Sequence, residues 1–305
     1  MTLLRVSAFA ALASLLSACS PLYALDLLVP DSGYKLVEAI AYGPGPRRKL
    51  DLYVPVSAPG RPVPVVVFFY GGSWKNGKRG HYRFVGQALA SRGIAVAVAD
   101  YRLYPQVRFP AFVEDGARAV AAVVARTAEH GLDPERVFLM GHSAGAHLAA
   151  LLALDARYLR TAGLSQRAIA GWIGLAGPYA FDPLAYDASR PVFASAADDI
   201  DRARPITHVS ASAPPALLLH GTADKTVVPD NTEALAAALR KRRVKAETNL
   251  YSGVGHVGII VAAASPFQDH APVISDILRF VGAAPEPSKL QRSAQRGPAQ
   301  PRFAR

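Results

Sequence analysis

Apolar positions along the chain follow two rhythms. Short unbroken runs recur at 63–70, 94–99, 137–140, 169–175 and 216–219, with a weaker one at 246–251. Runs of this length, rich in β-branched residues and without alternation, suit strands buried on both faces. Between them, around 80–92, 112–130, 145–157, 230–243 and 271–282, apolar residues recur at helical spacing. Two earlier segments, 34–41 and 49–54, read as strands joined by the turn-rich GPGPRR, which suits an antiparallel connection. This order predicts an α/β fold, a mostly parallel central sheet with helices on both faces. Asp230 is expected to cap the fourth helix. Residues 178–213, rich in Pro, Asp, Ala and Ser, break the rhythm and read as an insertion over one end of the sheet.

Charge alters this picture only at the end of the chain. The 305 residues are about half apolar and carry a formal net charge of +11, with bulk enough for one large core. Lys and Arg are scattered, and neither a basic helix nor an aromatic RNA-binding signature occurs, so no nucleic-acid partner is expected. Residues 284–305 differ: Lys289, Arg292, Arg296, Arg302 and Arg305 face a single acid, Glu286, among Pro, Gln and Ser. They are expected to form a disordered basic tail. Beyond the N-terminal segment, no apolar run reaches the roughly twenty residues that cross a bilayer.

Residues 1–20 read MTLLRVSAFAALASLLSACS. Arg5, the apolar stretch Val6 to Leu16 and the small residues after it have the length and polarity of a secretory signal. Its end, Leu16-Ser17-Ala18-Cys19, resembles the lipobox of bacterial lipoproteins. That resemblance implies a signal peptide at 1–18, lipid on Cys19 and a linker at 19–33, which would anchor the protein to a membrane of the bacterial cell envelope. Ser20 in place of Asp favours the outer over the inner membrane by the same resemblance. Cys19 is the only cysteine, so no intramolecular disulfide can form, and a lone exported cysteine calls for such a role.

The chemistry concentrates where predicted strands end. After 137–140 comes Gly141-His142-Ser143-Ala144-Gly145, followed by the helical AHLAALLAL. A bare G-x-S-x-G is weak, but between a strand and a helix it reads as a nucleophile elbow, a sharp turn that lifts a serine hydroxyl above the sheet. The flanking glycines are expected because a side chain there would strike neighbouring backbone. Ser143 would then sit at a helix N-terminus, whose partial positive charge favours a developing oxyanion. After 216–219 comes His220-Gly221-Thr222-Ala223-Asp224, and further on Gly253-Val254-Gly255-His256-Val257-Gly258. The chain order Ser143, Asp224, His256 suits a triad in which the histidine takes the serine proton and the acid holds its tautomer. Asp230 is the alternative acid. His142 and His147 are expected to shape the site, and His81, His130, His208, His220 and His270 lack a comparable glycine-flanked loop. Tyr70-Gly71-Gly72-Ser73-Trp74 follows the strand at 63–69. Its small residues would let backbone N–H groups approach an oxyanion, so Gly72, Ser73 and Ala144 are the expected donors, with Gly71 also open.

Together YGGSW, the Asp100–Gly116 segment, GHSAG, HGTADKTVVP and GVGHVG resemble the α/β-hydrolase superfamily over roughly residues 34–282. Within it they are similar to carboxylesterases of the hormone-sensitive-lipase and feruloyl-esterase-like branch. The resemblance implies a catalytic domain at 34–283 and hydrolysis of small-acyl esters through an acyl-enzyme. Where the lipase branch has His-Gly-Gly-Gly, this chain has Tyr70 and Ser73. Kynurenine-formamidase-like and prenylcysteine-methylesterase-like relatives carry similar loops. Asp115 looks like a structural anchor, not a catalytic acid. An amide or formamide hydrolase would use the same triad, and a non-catalytic envelope scaffold would use none. No metal-ligand cluster, phosphate loop or nucleotide fingerprint occurs, so no cofactor or metal is implied.

Overall fold

The computed structural model describes Leu25, residues 28–56 and residues 60–283. The expectations for the signal peptide, for Cys19 and for the tail at 284–305 lie outside the described residues. The apolar runs fold as strands: β1 (Tyr34–Ala41), β2 (Lys49–Pro55), β3 (Val63–Phe69), β4 (Ala95–Ala99), β5 (Leu132–His142), β6 (Gly171–Leu175), β7 (Ala216–Gly221) and β8 (Ala246–Tyr251). They form an eight-stranded sheet in the order β1-β2-β4-β3-β5-β6-β7-β8. β1 and β2 run antiparallel at one edge, and the rest are mutually parallel. Every residue of β3, β4 and β6 is buried, as unbroken apolar runs require of strands covered on both faces.

Among the described residues the α-helices of six or more residues are α1 (Arg83–Ala90), α2 (Ala111–Val124), α3 (Ala144–Leu154), α4 (Ala156–Thr161), α5 (Asp230–Lys241) and α6 (Val273–Ala283). Their faces follow from handedness. Right-handed crossovers that move in opposite directions along a sheet put their helices on opposite faces. The chain steps from β3 out to β4 through α1, then back past β3 to β5 through α2. α1 accordingly packs with α6, while α2, α3 and α4 pack together. The reversal also makes the C-terminal ends of β3 and β5 a switch point, the crevice where such sheets bind ligands. The insertion at 178–213 folds as short helical pieces, of which Arg190–Phe193 is the one α-helical turn.

Three expectations are corrected. β5 begins at Leu132, ahead of the run at 137–140, because Leu132 pairs with Val63 before the ladder shifts register to Val65 and Val137. α2 stops at Val124, where the chain turns so that the Leu132 amide donates to the Thr127 carbonyl at 2.8 Å. Asp230 does not cap α5: Pro229 is the N-cap, without a side-chain cap bond, and Asp230 lies within the first turn. There its charge still suits the helix dipole.

Asp115 is the anchor it was expected to be. Its buried carboxylate accepts from Arg48 Nε at 3.0 Å, Arg102 Nε at 2.7 Å and Arg118 at 3.4 Å. It thereby ties α2 to the chain before β2 and the chain after β4. The other close fit is at the turn after β5. A methyl on Gly145 would press on the Phe69 carbonyl and lie 2.5 Å from the Tyr70 oxygen, and one on Gly141 would lie 2.5 Å from the Ala146 nitrogen. Overpacking of this kind costs about 3 kcal/mol, and more where backbone must yield. Gly145→Ala is therefore expected to lower Tm by roughly 6 °C or more. Gly282→Ala, on α6 with open space around it, is expected to be neutral or slightly stabilising. Thermal melts of the two variants side by side check the contrast, and equal shifts would count against the packing argument.

Candidate active site

Ser143 sits at the N-cap of α3 with φ 54° and ψ −120°, a conformation that L side chains adopt only when their surroundings force it. The force is visible on both sides. The Ser143 amide donates to the Leu175 carbonyl at 2.9 Å, the Ser143 carbonyl accepts from the His147 amide at 3.1 Å, and the two flanking glycines leave the turn no room to relax.

His256, in the loop after β8, accepts at Nε2 from the Ser143 hydroxyl across 2.8 Å. Its Nδ1–H donates to Asp224 Oδ2 at 2.7 Å. The other carboxylate oxygen, Oδ1, accepts from the amides of Thr226 and Val227, both at 2.9 Å. With Oδ1 occupied, the lone pairs of Oδ2 face the imidazole and fix its tautomer. Burial alone would raise the Asp224 pKa, but the bonds from His256, Val227 and Thr226 outweigh it and hold the carboxyl below its ordinary range. The structure thus brings Ser143, His256 and Asp224 into one hydrogen-bonded line, while Asp230 stays exposed on α5.

Gly71 to Trp74 fold over this line from β3. A Cβ on Gly71 would lie 3.1 Å from the Ser143 Cβ, and Gly72, Ser73 and Trp74 all have positive φ. Ser73 and Ala144 line a cavity of about 390 Å³ beside Ser143, with Trp74, Phe181, Tyr186 and Val228. The amide of Ala144, the first residue of α3, belongs to the helix-end N–H groups that lack an intrahelical acceptor. Tyr70, where the lipase branch has histidine, stacks between Tyr82 and Tyr101 at centroid distances of 5.3 and 4.9 Å. Its hydroxyl donates to buried Asp100 at 2.8 Å, which also takes the Arg79 guanidinium at 2.6 Å. The loop rests on that carboxylate.

Two further histidines meet the line: His142, expected to shape the site, and His220, not among the expected site residues. His142 Nε2–H donates to the His256 carbonyl at 3.0 Å, and the two rings lie 5.0 Å apart. His220 is fully buried, with Nδ1 2.8 Å from the Thr232 hydroxyl and Nε2 2.8 Å from the Val227 carbonyl. The same Nε2 lies 3.2 Å from Asp224 Oδ2, so a second imidazole steadies the oxygen that faces His256. The contact with His256 spans 114 residues and left no local signal. For His220, the four-residue spacing to Asp224 was the available clue. His147, fully buried, donates from Nε2 to the Ala203 carbonyl at 2.7 Å and meets Trp74 edge-on. Among the described residues no group of His, Cys, Asp and Glu could hold a metal ion, and no helix is long and apolar enough to cross a membrane.

The BD-FAE family model matches residues 50–239. A probable isoprenylcysteine alpha-carbonyl methylesterase of Arabidopsis thaliana is 33% identical over 245 residues, which cover 73% of this chain and 51% of that protein. An esterase of Mycobacterium tuberculosis is 32% identical over 264 residues, covering 79% of this chain and 62% of its own. The chain spans about half to three-fifths of the length of these curated relatives. Among solved structures, esterase B of Lactobacillus rhamnosis superposes with a TM-score of 0.75 at 22% identity, covering 97% of this chain and 99% of its own. A propionate-bound thermophilic esterase of Thermogutta terrifontis does so at 0.67 and 25% identity, covering 85% and 98%.

Burial gives the site a pH signature of its own. It pushes the pKa of His142 down to about 3 and that of His147 to about 4, so both are neutral in the folded chain. In the unfolded chain they take up protons below about pH 6.5, and stability falls with pH across that window by up to about 1.4 kcal/mol per unit for each group. Urea unfolding between pH 7.5 and 5 is expected to show this slope, and His147→Gln, which keeps a donor for Ala203, is expected to flatten it. An unchanged slope in that variant would exclude His147 as a source.

Proposed function

This chain belongs to the BD-FAE family of α/β-hydrolases, and from that premise we propose that it hydrolyses carboxylic esters of small acyl groups through an acyl-enzyme on Ser143. The observation that carries this reading is the line Ser143 Oγ–His256 Nε2 at 2.8 Å and His256 Nδ1–Asp224 Oδ2 at 2.7 Å, set at the switch point of the sheet. As Ser143 Oγ attacks the ester carbonyl carbon, His256 Nε2 takes its proton and Asp224 stabilises the imidazolium. The amides of Gly72, Ser73 and Ala144 are assigned to the oxyanion of the tetrahedral intermediate, where each such donor is worth about 10²–10³ in rate. Collapse expels the alcohol, which takes its proton from His256. Water, activated by the same imidazole, then releases the acid and restores Ser143. His220 and His142 act as positioning residues, the first through Asp224 and the second through the loop that carries His256.

The cavity of about 390 Å³ and the lack of any α-helix longer than four residues in the insertion support small acyl groups. The relatives named methylesterases and the propionate-bound esterase point the same way. We also assign the protein to the bacterial cell envelope, lipid-anchored at the outer membrane, on the sequence of residues 1–20.

Ser143→Ala is expected to abolish turnover of an activated ester and labelling by a fluorophosphonate, and His256→Ala to be about as damaging, since such groups act as a unit. Retained labelling in Ser143→Ala would overturn the nucleophile. Asp224→Asn is expected to lower turnover by about four orders of magnitude, as the equivalent change does in a serine protease, and exposed Asp230→Asn to leave it within a few-fold. If Asp230→Asn is the more crippled, Asp224 is not the acid. Across a panel of esters and formamides, acetyl and butyryl esters are expected to outpace long-chain ones. A reversed order would sink the small-acyl assignment, and a formamide preference would replace ester by amide hydrolysis.

A further inference from the structure

Ser143, Asp224 and His256 all follow the C-terminal ends of parallel strands, so the mouth of the site lies at one pole of the sheet. The opposite pole, where those strands begin, is not neutral. From the last turn of α5 to the start of β8 runs Arg240-Lys241-Arg242-Arg243-Val244-Lys245, in which Val244 is buried and the five cations are exposed. The Ala216 amide donates to the Lys245 carbonyl at 2.9 Å, which fixes this turn at the start of β7 and β8. Arg160 and Arg167, both exposed, line a hollow before β7 with Pro214 and Pro215, at the same pole.

The turn itself does not call for so much charge. Arg240 reaches the Ala246 carbonyl at 2.9 Å and the Thr248 hydroxyl at 2.9 Å, and Lys245 meets Glu247 at 3.0 Å. The side chains of Lys241, Arg242 and Arg243 have no ion pair with any described residue. Arg243 has φ 62°, at a helix end where glycine is the relaxed choice. Like charges packed within a Debye length of about 8 Å repel one another, so the cluster gains where an anionic surface meets it.

The chain ends favour a membrane as that surface. The chain enters β1 at this pole, with Tyr34 opposite Pro55. α6 returns to the same pole, where Arg136 donates to the Val281 carbonyl at 3.0 Å and Arg279 lies 3.7 Å from Glu247 of β8. The basic sequence 284–305 is attached there. No aromatic side chain stands in 240–245 to stack on a base, which disfavours nucleic acid.

We propose that the turn 240–245 docks on an anionic phospholipid bilayer and holds the mouth of the site pointing away from it. The test is cosedimentation of the full-length chain with phosphatidylcholine vesicles, with and without phosphatidylglycerol, from low to physiological salt. Binding is expected to rise with phosphatidylglycerol and to fall with salt. Each cation at such a surface is worth about fivefold in affinity, so Lys241→Gln/Arg242→Gln is expected to lose roughly thirtyfold of the phosphatidylglycerol-dependent part, while Lys241→Arg/Arg242→Lys keeps it. Equal binding of the Gln variant and the wild type, or indifference to phosphatidylglycerol, overturns the proposal. A preference for a nucleic-acid duplex at matched salt does the same. Turnover of a water-soluble ester is expected to be equal for free and vesicle-bound protein, and a loss on binding overturns the orientation. Absence of turnover in both states would count against the esterase reading and leave the binding result standing.

Discussion

The architecture depends on a close approach between the turn after β5 and the carbonyls at the end of β3. Gly145 lies against the Phe69 and Tyr70 oxygens, and Gly141 against the first turn of α3. This contact sets how far Ser143 projects above the sheet and forces its backbone to φ 54°. It also brings the loop from Gly71 to Trp74 over the hydroxyl, since that loop starts directly after Tyr70, whose carbonyl is pressed. A packing constraint between two strands thus becomes the geometry of a reactive oxygen and of the amides around it. The strain is sustained by the burial of the surrounding strands, not by any single bond at the site.

Charge is handled in two opposite ways around this contact. Asp100 and Asp115 are buried carboxylates satisfied by arginines from neighbouring loops, and removal of one partner of such a pair is costly because it strands the other. They pin the loops at the edge of the sheet. His142 and His147 are buried without a charged partner and stay neutral for that reason. The site therefore has rigid ionic supports at its periphery and neutral donors near its centre, where an extra positive charge would compete with His256 for Asp224.

Much of this was legible in the sequence, and the exceptions have physical causes. Unbroken apolar runs identify strands buried on both faces, so β3, β4 and β6 could be read directly. The first residues of β5 could not, because Asp133 and Glu135 are polar and only the pairing of Leu132 with Val63 makes them a strand. Asp230 suggested a cap from its residue type, yet the chain enters the helix one residue earlier, at Pro229. Ser143, Asp224 and His256 each follow a strand in a small-residue context, which is visible locally. What His142 and His220 touch is decided by the fold: the His256 carbonyl and Asp224 Oδ2 meet them only after β5, β7 and β8 have lined up.

The insertion at 178–213 contributes Phe181, Tyr186 and Ser189 to the cavity wall, but none of the bonds that align Ser143, His256 and Asp224. Those come from the strand ends and the loops tied to them. Substitution of its outer wall residues, such as the exposed Tyr186, therefore leaves the line of Ser143, His256 and Asp224 in place. The inner residues of the insertion, Tyr179, Val192, Phe193 and Ala203, are fully buried in the core, so variation in what the cavity admits is confined to the outer side chains, while the backbone of the segment is held by the fold.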